Sequence, residues 1–353
     1  MPVSVVIGGQ YGSEGKGKVA LHVAKARQAT TVIRVGGPNS GHTGIDSRGR
    51  EWIFRQLPAS CLAGGVRIVL PAGSLIDADL LASEIQALGL APERLIIDAQ
   101  ASIVTKRHQL DESSSDIVAA IGSTGSGTGA SLGERISRKL GHLLASQHPL
   151  LRHYTHDFVP GLLRQWLRKG ERLVIEGTQG FGLSLWHGGL YPFATSRDTT
   201  AAGFLSECGL SPTDVDDIIL VIRAFPIRVG GNSGPLPNEI DWPTLASEVG
   251  LPKNHMELTS ATKRMRRVAR FHPDVVRRAI TVNNPHRIAM NHLDYVGNIS
   301  SADGADRQVI EFVKRVEKSL ARRIDLLGFS PSTLISTDDC LSLKGRVDAD
   351  VLV

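Results

Sequence analysis

With 353 residues, 41% hydrophobic and 21% charged, the chain has an ordinary globular composition, which excludes a disordered or fibrous protein. No apolar run reaches membrane-spanning length, and MPVSVVIGGQ leads straight into a strand and a glycine loop without a signal-peptide layout, so a cytoplasmic protein with no membrane partner is expected. The net charge of +5 suits either nucleic acid or a site that gathers phosphates and carboxylates, while Cys61, Cys208 and Cys340 form no CxxC pair and imply neither a disulfide framework nor a zinc site.

In chain order, β-branched runs bounded by glycine or turns predict strands at VSVVIG (3–8), TTVIRVGG (30–37), RIVLPAG (67–73), RLIID (94–98), RLVIEG (172–177) and DIILVIRAFP (217–226). KVALHVAKAR and DADLLASEIQALG read as helices between them, and SSSD (113–116) and ASQHPL (145–150) as surface loops. The alternation predicts an α/β fold with a mostly parallel central sheet flanked by helices, and residues 1–353 as a single domain with inserted loops. There is no internal repeat.

Ligands of such sheets bind beyond the carboxyl ends of the strands. Five glycine-rich segments, GGQYGSEGKG, GGPNSGHTG, GSTGSGTGA, EGTQGFG and RVGGNSGP, follow strands or lie between them, which suggests backbone folded closely around a polyanionic ligand. The first departs from the ordinary phosphate loop: five residues separate Gly9 from Gly15, and Gly17 replaces the hydroxyl residue after Lys16.

GGQYGSEGKGK, GGPNSGHTG, STGSGTGASLGERISRK, EGTQGFGLSLWHGGLYPFATSRDTT and FPIRVGGNSGPLPNE together resemble adenylosuccinate synthetase in its short archaeal form, in order over nearly the whole chain. That resemblance implies the family's P-loop NTPase-like fold and a Mg²⁺-dependent homodimeric ligase. Such an enzyme joins L-aspartate to the purine 6-position through a 6-phosphoryl intermediate, driven by a nucleoside triphosphate.

Carried onto this chain, the resemblance makes His42 the acid at the reacting oxygen, with Gln179 beside it, and Gly41 a magnesium ligand through its carbonyl. Gly12, Glu14, Gly15, Lys16, Gly17 and Thr43 fall on triphosphate positions, as do His292 and Asp294 further on. Asn39, Ser123, Thr124, Gln179 and Thr195 match residues that hold the purine monophosphate, and Arg138 matches an arginine that reaches the partner subunit's site. The basic run TKRMRRVAR (262–270) reads by itself as a nucleic-acid patch or an exposed helical face. By resemblance it is the aspartate loop, with Thr262, Arg264 and Arg266 as its carboxylate-binding residues.

Two departures redirect the reading. Position 13, an aspartate in the family that takes the N1 proton and helps to bind magnesium, is here Ser13, which carries no charge at neutral pH. Guanine adds a 2-amino group beside N1, and serine gives it room and a single acceptor. A phage branch of the family with serine here uses dGMP to make the succinylated precursor of 2-aminoadenine DNA. dGMP is therefore the expected substrate, and IMP the alternative. What replaces the missing base stays open between substrate phosphates, a metal-bound water and the Gln179 network.

The second departure is NHLD (291–294), which keeps Asp294 but puts His292 where the family has a lysine, while ISTDDC (335–340) replaces a glycine-containing base loop. These changes favour ATP or dATP as phosphate donor over GTP. The rival classes fit less well. A P-loop switch leaves SGHT and GTQGFG unexplained, and a nucleic-acid binder would interleave aromatics with its basic run, which has none before Phe271.

Overall fold

Runs of valine, isoleucine and leucine form one ten-stranded sheet in the computed structural model, which describes residues 2–252, 254–259, 264–300 and 304–340. In chain order its strands are β1 (Val3–Gly8), β2 (Thr31–Arg34), β3 (Arg67–Leu70), β4 (Leu95–Asp98), β5 (Thr155–His156), β6 (Leu173–Glu176), β7 (Val215–Arg223), β8 (Arg287–Asn291), β9 (Leu326–Gly328) and β10 (Leu334–Ser336). Across the sheet they run β10-β9-β8-β7-β1-β6-β2-β3-β4-β5, all neighbours parallel except β9 and β10.

The two-residue period of each strand splits its apolar side chains between two cores. Val5, Ile7, Ile33 and Ile175 face one side with Leu163, Phe204 and Val276 of three covering helices. Val6, Val32 and Val174 face the other, where helix α1 (Lys16–Ala26) contributes Val19, Ala20 and Val23. Burial on both faces is why β1 reads as an unbroken apolar run.

All six strands expected from the sequence are present: the first has the expected bounds, the next four are shorter, and the last runs over Val215–Arg223 rather than 217–226. The other four were missed because β5, β9 and β10 have two or three residues, too few to show a period, and β8, RIAMN, carries polar ends. Both expected helices form. In helix α2 (Ala78–Leu88) the Asp77 carboxylate accepts the Leu80 N–H at 3.1 Å, and Gly89 ends the helix at φ 60. The expected loops are partly ordered: Ser113 and Ser114 close helix Lys106–Ser114, and Ala145–Gln147 make one 3₁₀ turn.

The basic run needs a correction. Arg266–Ala269 is the middle strand of a small antiparallel sheet between Ile227–Val229 and Glu239–Ile240, so it is not a helical face, and Arg264 lies just before the strand. Val268 and Ala269 are buried, and Arg267 and Arg270 pair with Glu239 and Glu248, which neutralises the charge that suggested nucleic acid. Among the described residues no helix is long and apolar enough to cross a membrane.

Close approach at the sheet centre admits only glycine at position 177. Its N–H donates to the Val6 carbonyl at 2.9 Å, and a Cβ would lie 2.6 Å from that oxygen and against the Phe204 ring. Gly133, inside helix Thr128–Ile136, has nothing within 4 Å of a built Cβ. In urea unfolding, Gly177→Ala is expected to destabilise by about 1–3 kcal/mol through overpacking. Gly133→Ala is expected to stabilise by about 0.5–1 kcal/mol through helix propensity.

Candidate active site

The chain between β1 and α1 turns over the sheet's carboxyl edge with Gly12, Ser13 and Gly15 all left-handed, at φ 95, 56 and 85. One buried carboxylate holds this loop. Glu14 accepts the N–H groups of Gln10 at 3.1 Å and Gly12 at 2.8 Å, and pairs with Lys16 Nζ at 2.7 Å. Its side chain is turned under the loop, because those unpaired amides need an acceptor where water cannot reach, which leaves only its backbone for the triphosphate. Asn291, at the end of β8, donates Nδ2 to the Glu14 carbonyl at 2.7 Å.

The missing hydroxyl after Lys16 also has a steric cause. A Cβ on Gly17 would lie 2.7 Å from the Thr43 carbonyl and 2.9 Å from Ala59 Cβ, so α1 can meet the His42 strand only with glycine there.

His42 opens the hairpin strand His42–Ile45 and is nearly wholly buried. Its Nδ1 lies 2.7 Å from Glu176 Oε1, and the Arg34 guanidinium lies within 2.9 Å of both ring nitrogens. Glu176 is fully buried at the end of β6 and also accepts the Ala59 and Ser60 N–H groups and the Ser60 hydroxyl. Burial works against its charge, but His42, Arg34 and these donors hold the carboxyl below its ordinary range. Burial, then the Arg34 charge, pushes His42 down to about 3. The ring is therefore neutral, and its Nδ1–H goes to the Glu176 carboxylate. Arg34 also donates to Ser40 Oγ at 3.1 Å, and Ser40 bonds Thr178 at 2.8 Å, which ties SGHT to GTQG.

A cavity of about 390 Å³ runs across the loop. Asn39, Gly41, His42 and Thr43 after β2 and Gln179 after β6 line it on one side of β1, and His292, Asp294 and Tyr295 after β8 with Phe329 and Pro331 after β9 form the far end on the other. Gly12, Ser13, Gly15, Lys16, Gly17 and Lys18 lie between, and Thr124 and Arg266 complete the lining. The lining therefore has two ends joined at a phosphate loop, the shape two nucleotides sharing a transferred phosphoryl group require. The far wall comes from Phe329 to Pro331. Ile335 and Ser336, expected in a base loop, lie in the edge strand β10 instead.

At that far end His292 is left-handed, at φ 60, with its ring 5.6 Å from Tyr295. Burial, then Arg223, pushes its pKa down to about 3, so it presents a neutral ring. Burial also lowers Lys18 to about 8.

Other expected residues fall outside the cavity lining. Ser123 accepts the Gly125 N–H at 3.3 Å, and Thr195 donates its own N–H to Leu183 O at 2.8 Å. Arg138, left-handed at φ 55, is exposed just beyond helix Thr128–Ile136. Arg264 is exposed and Thr262 lies outside the described residues. Sequence reasoning missed Arg34, Glu176 and Arg223, although each is a charged residue ending a strand of a parallel sheet, a signal that was available.

For Mg²⁺ the chain offers neutral oxygens, the Gly41 carbonyl and the Ser13 hydroxyl, both lining the cavity. These hard donors fit an ion that takes most of its ligands from phosphates and water. His108, Glu134 and His142 also converge, but His108 Nδ1 accepts the Thr105 N–H at 3.1 Å, so its proton sits on Nε2 and goes to Glu134 at 2.9 Å. The His108–Glu134 pair is a hydrogen-bonded brace between two helices, and His142 lies beside it with Nδ1 3.5 Å from the carboxylate.

Comparison with known proteins agrees with this geometry. The family model for adenylosuccinate synthetase matches residues 5–148 and 141–303. The adenylosuccinate synthetase of Methanococcus aeolicus is 33% identical over 94% of this chain and 97% of its own, and that of Methanocaldococcus jannaschii 34% identical over 95% and 93%. The structure of cyanophage S-2L succinoaminodeoxyadenylate synthetase, bound to dGMP and to dATP as an energy donor, matches with a TM-score of 0.81 at 26% identity, covering 98% of this chain and 99% of that one. The Plasmodium falciparum adenylosuccinate synthetase shares the fold, with a TM-score of 0.78 at 20% identity over 96% and 100% of the two chains. With its parallel sheet, its phosphate loop and this extent of similarity, the chain belongs to the adenylosuccinate synthetase family, ligases that form a C–N bond using Mg²⁺ and a nucleoside triphosphate.

Proposed function

We propose that the protein joins L-aspartate to the 6-position of dGMP, with ATP or dATP as phosphate donor, as a homodimer in the cytoplasm. The observation that carries this reading is the absence of a carboxylate at the head of the phosphate loop. Ser13 lines the cavity and its carbonyl accepts Arg223 Nη1 at 3.2 Å, while the neighbouring Glu14 is committed to Lys16 and the loop amides. A purine with donors at N1 and at a 2-amino group then meets a short hydroxyl with room beside it rather than a charged side chain. The cyanophage structure, bound to dGMP and dATP, supports the same choice.

In this reading the γ-phosphoryl passes to the purine O6, and the aspartate amine then adds at C6 as phosphate leaves. Mg²⁺, held by Gly41 and Ser13 together with phosphates, supplies charge neutralisation when bound. His42 donates its Nδ1–H to Glu176 and faces Arg34 with Nε2, so to act as the acid at the purine oxygen it would first take up a proton at Nε2, and Gln179 lines the same cavity. Lys16 and the loop amides position the triphosphate, and Arg264 and Arg266 receive the aspartate carboxylates. At the far end the neutral His292 ring, Tyr295 and Phe329 form an aromatic wall that suits adenine stacking. Asp294, in the same wall, favours GTP, and the similarity to archaeal adenylosuccinate synthetases at 33–34% identity favours IMP as the purine substrate.

With Mg²⁺, aspartate and ATP, dGMP is expected to yield a succinyl adduct by mass spectrometry and IMP to yield little. Adduct from IMP alone would sink the reading. Ser13→Asp is expected to cut dGMP use relative to IMP by about tenfold or more, read as the ratio of kcat/KM values.

A pH test follows from His292. Its folded pKa of about 3 lies below the ordinary value of 6.5, so the unfolded chain takes up a proton that the folded chain does not. The stability from this ring is therefore present above about pH 6.5 and lost as the pH falls toward 3. Between about pH 7 and pH 5 the wild type is expected to lose about 2 kcal/mol more than His292→Asn, whose asparagine tolerates the left-handed backbone. Equal losses in urea titrations would show that the ring is not held neutral.

A further inference from the structure

Outside the residues that match known motifs, one carboxylate joins three parts of the site. Glu257 receives the fully buried Arg223 through both of its oxygens, while Arg223 also donates to the Ser13 carbonyl at 3.2 Å. Glu257 Oε2 takes Arg266 Nη1 at 2.7 Å, and its Oε1 takes the Tyr295 hydroxyl at 2.9 Å. The phosphate loop, the arginine expected to hold aspartate and the wall of the triphosphate end therefore meet at a single anion.

We infer that Glu257 is a positioning residue for aspartate, acting through Arg266. This inference rests on the proposed function. The geometry supports orientation over competition. Arg266 spends one guanidinium nitrogen on Glu257, and it lines the cavity, so the rest of its donor fork remains for a substrate carboxylate. A long arginine side chain would otherwise sample many rotamers. Anchoring Nη1 removes that freedom before substrate arrives, as an outer-shell carboxylate does for a ligand group. The anion is itself dependable: burial works against its charge, yet Arg223 and Arg266 keep the carboxyl well below its ordinary range. Because Arg223 also holds Ser13, the aspartate arginine is registered against the loop where the purine reacts.

The test uses full-length enzyme, varying aspartate at saturating nucleotides and then the purine monophosphate at saturating aspartate. Wild-type adduct formation comes first, since its absence from every purine monophosphate would overturn the proposed function itself. Glu257→Gln is expected to raise the aspartate KM roughly tenfold with the purine nucleotide KM within about twofold. Glu257→Asp keeps the charge but shortens its reach to both arginines, and it is expected to give an intermediate rise of roughly threefold. An unchanged or lowered aspartate KM, or an equal rise in both KM values, would overturn the assignment. Should the glutamine variant fail to bind nucleotide, the aspartate variant decides by the same criteria.

Discussion

A carboxylate buried without water must be surrounded by donors, and Glu176 meets that demand at the centre of this protein. It collects the His42 ring, two backbone amides and a serine hydroxyl from segments far apart in the chain, with Arg34 beside it. Bringing these donors to one point fixes the end of β6, the start of the His42 hairpin and the turn at Ala59. The position and protonation of His42 follow from that convergence, as does the exclusion of any side chain at Gly17, which packs between the same segments.

The phosphate loop obeys the same rule on a smaller scale. Glu14 satisfies the amides of a left-handed turn and holds Lys16, so the acidic residue nearest the reacting centre is spent on structure. Removing the charge at position 13 thus leaves no adjacent carboxylate to substitute for it. A network of arginines and acids, Arg223, Glu257 and Arg266, supplies rigidity on the opposite side of the loop. Buried charges in this protein occur where loops from different strands must be held in register without a continuous apolar core.

Much of this was readable in advance, for reasons that differ by element. The central strands were legible because burial on both faces leaves an unbroken apolar signature, and the glycine loops because close backbone approach tolerates nothing larger. Strands of two or three residues carry no such signature. The arginine-rich run was ambiguous by itself because charge in a sequence says nothing about partners. Arg267 and Arg270 find Glu239 and Glu248 only when the small sheet forms.

The sequence alone determined the fold class and the phosphate loop, since both depend on local residue chemistry and spacing, while the roles expected of His42 and Ser13 came from the resemblance to the family. Tertiary structure alone decided that Glu14 turns inward, that Arg34 and Glu176 flank His42, and that the far wall comes from Phe329 to Pro331 rather than from residues after 335. Those outcomes depend on which distant donors reach a buried acceptor, and a parallel sheet sets such distances through crossovers that place residues more than a hundred positions apart within one hydrogen bond.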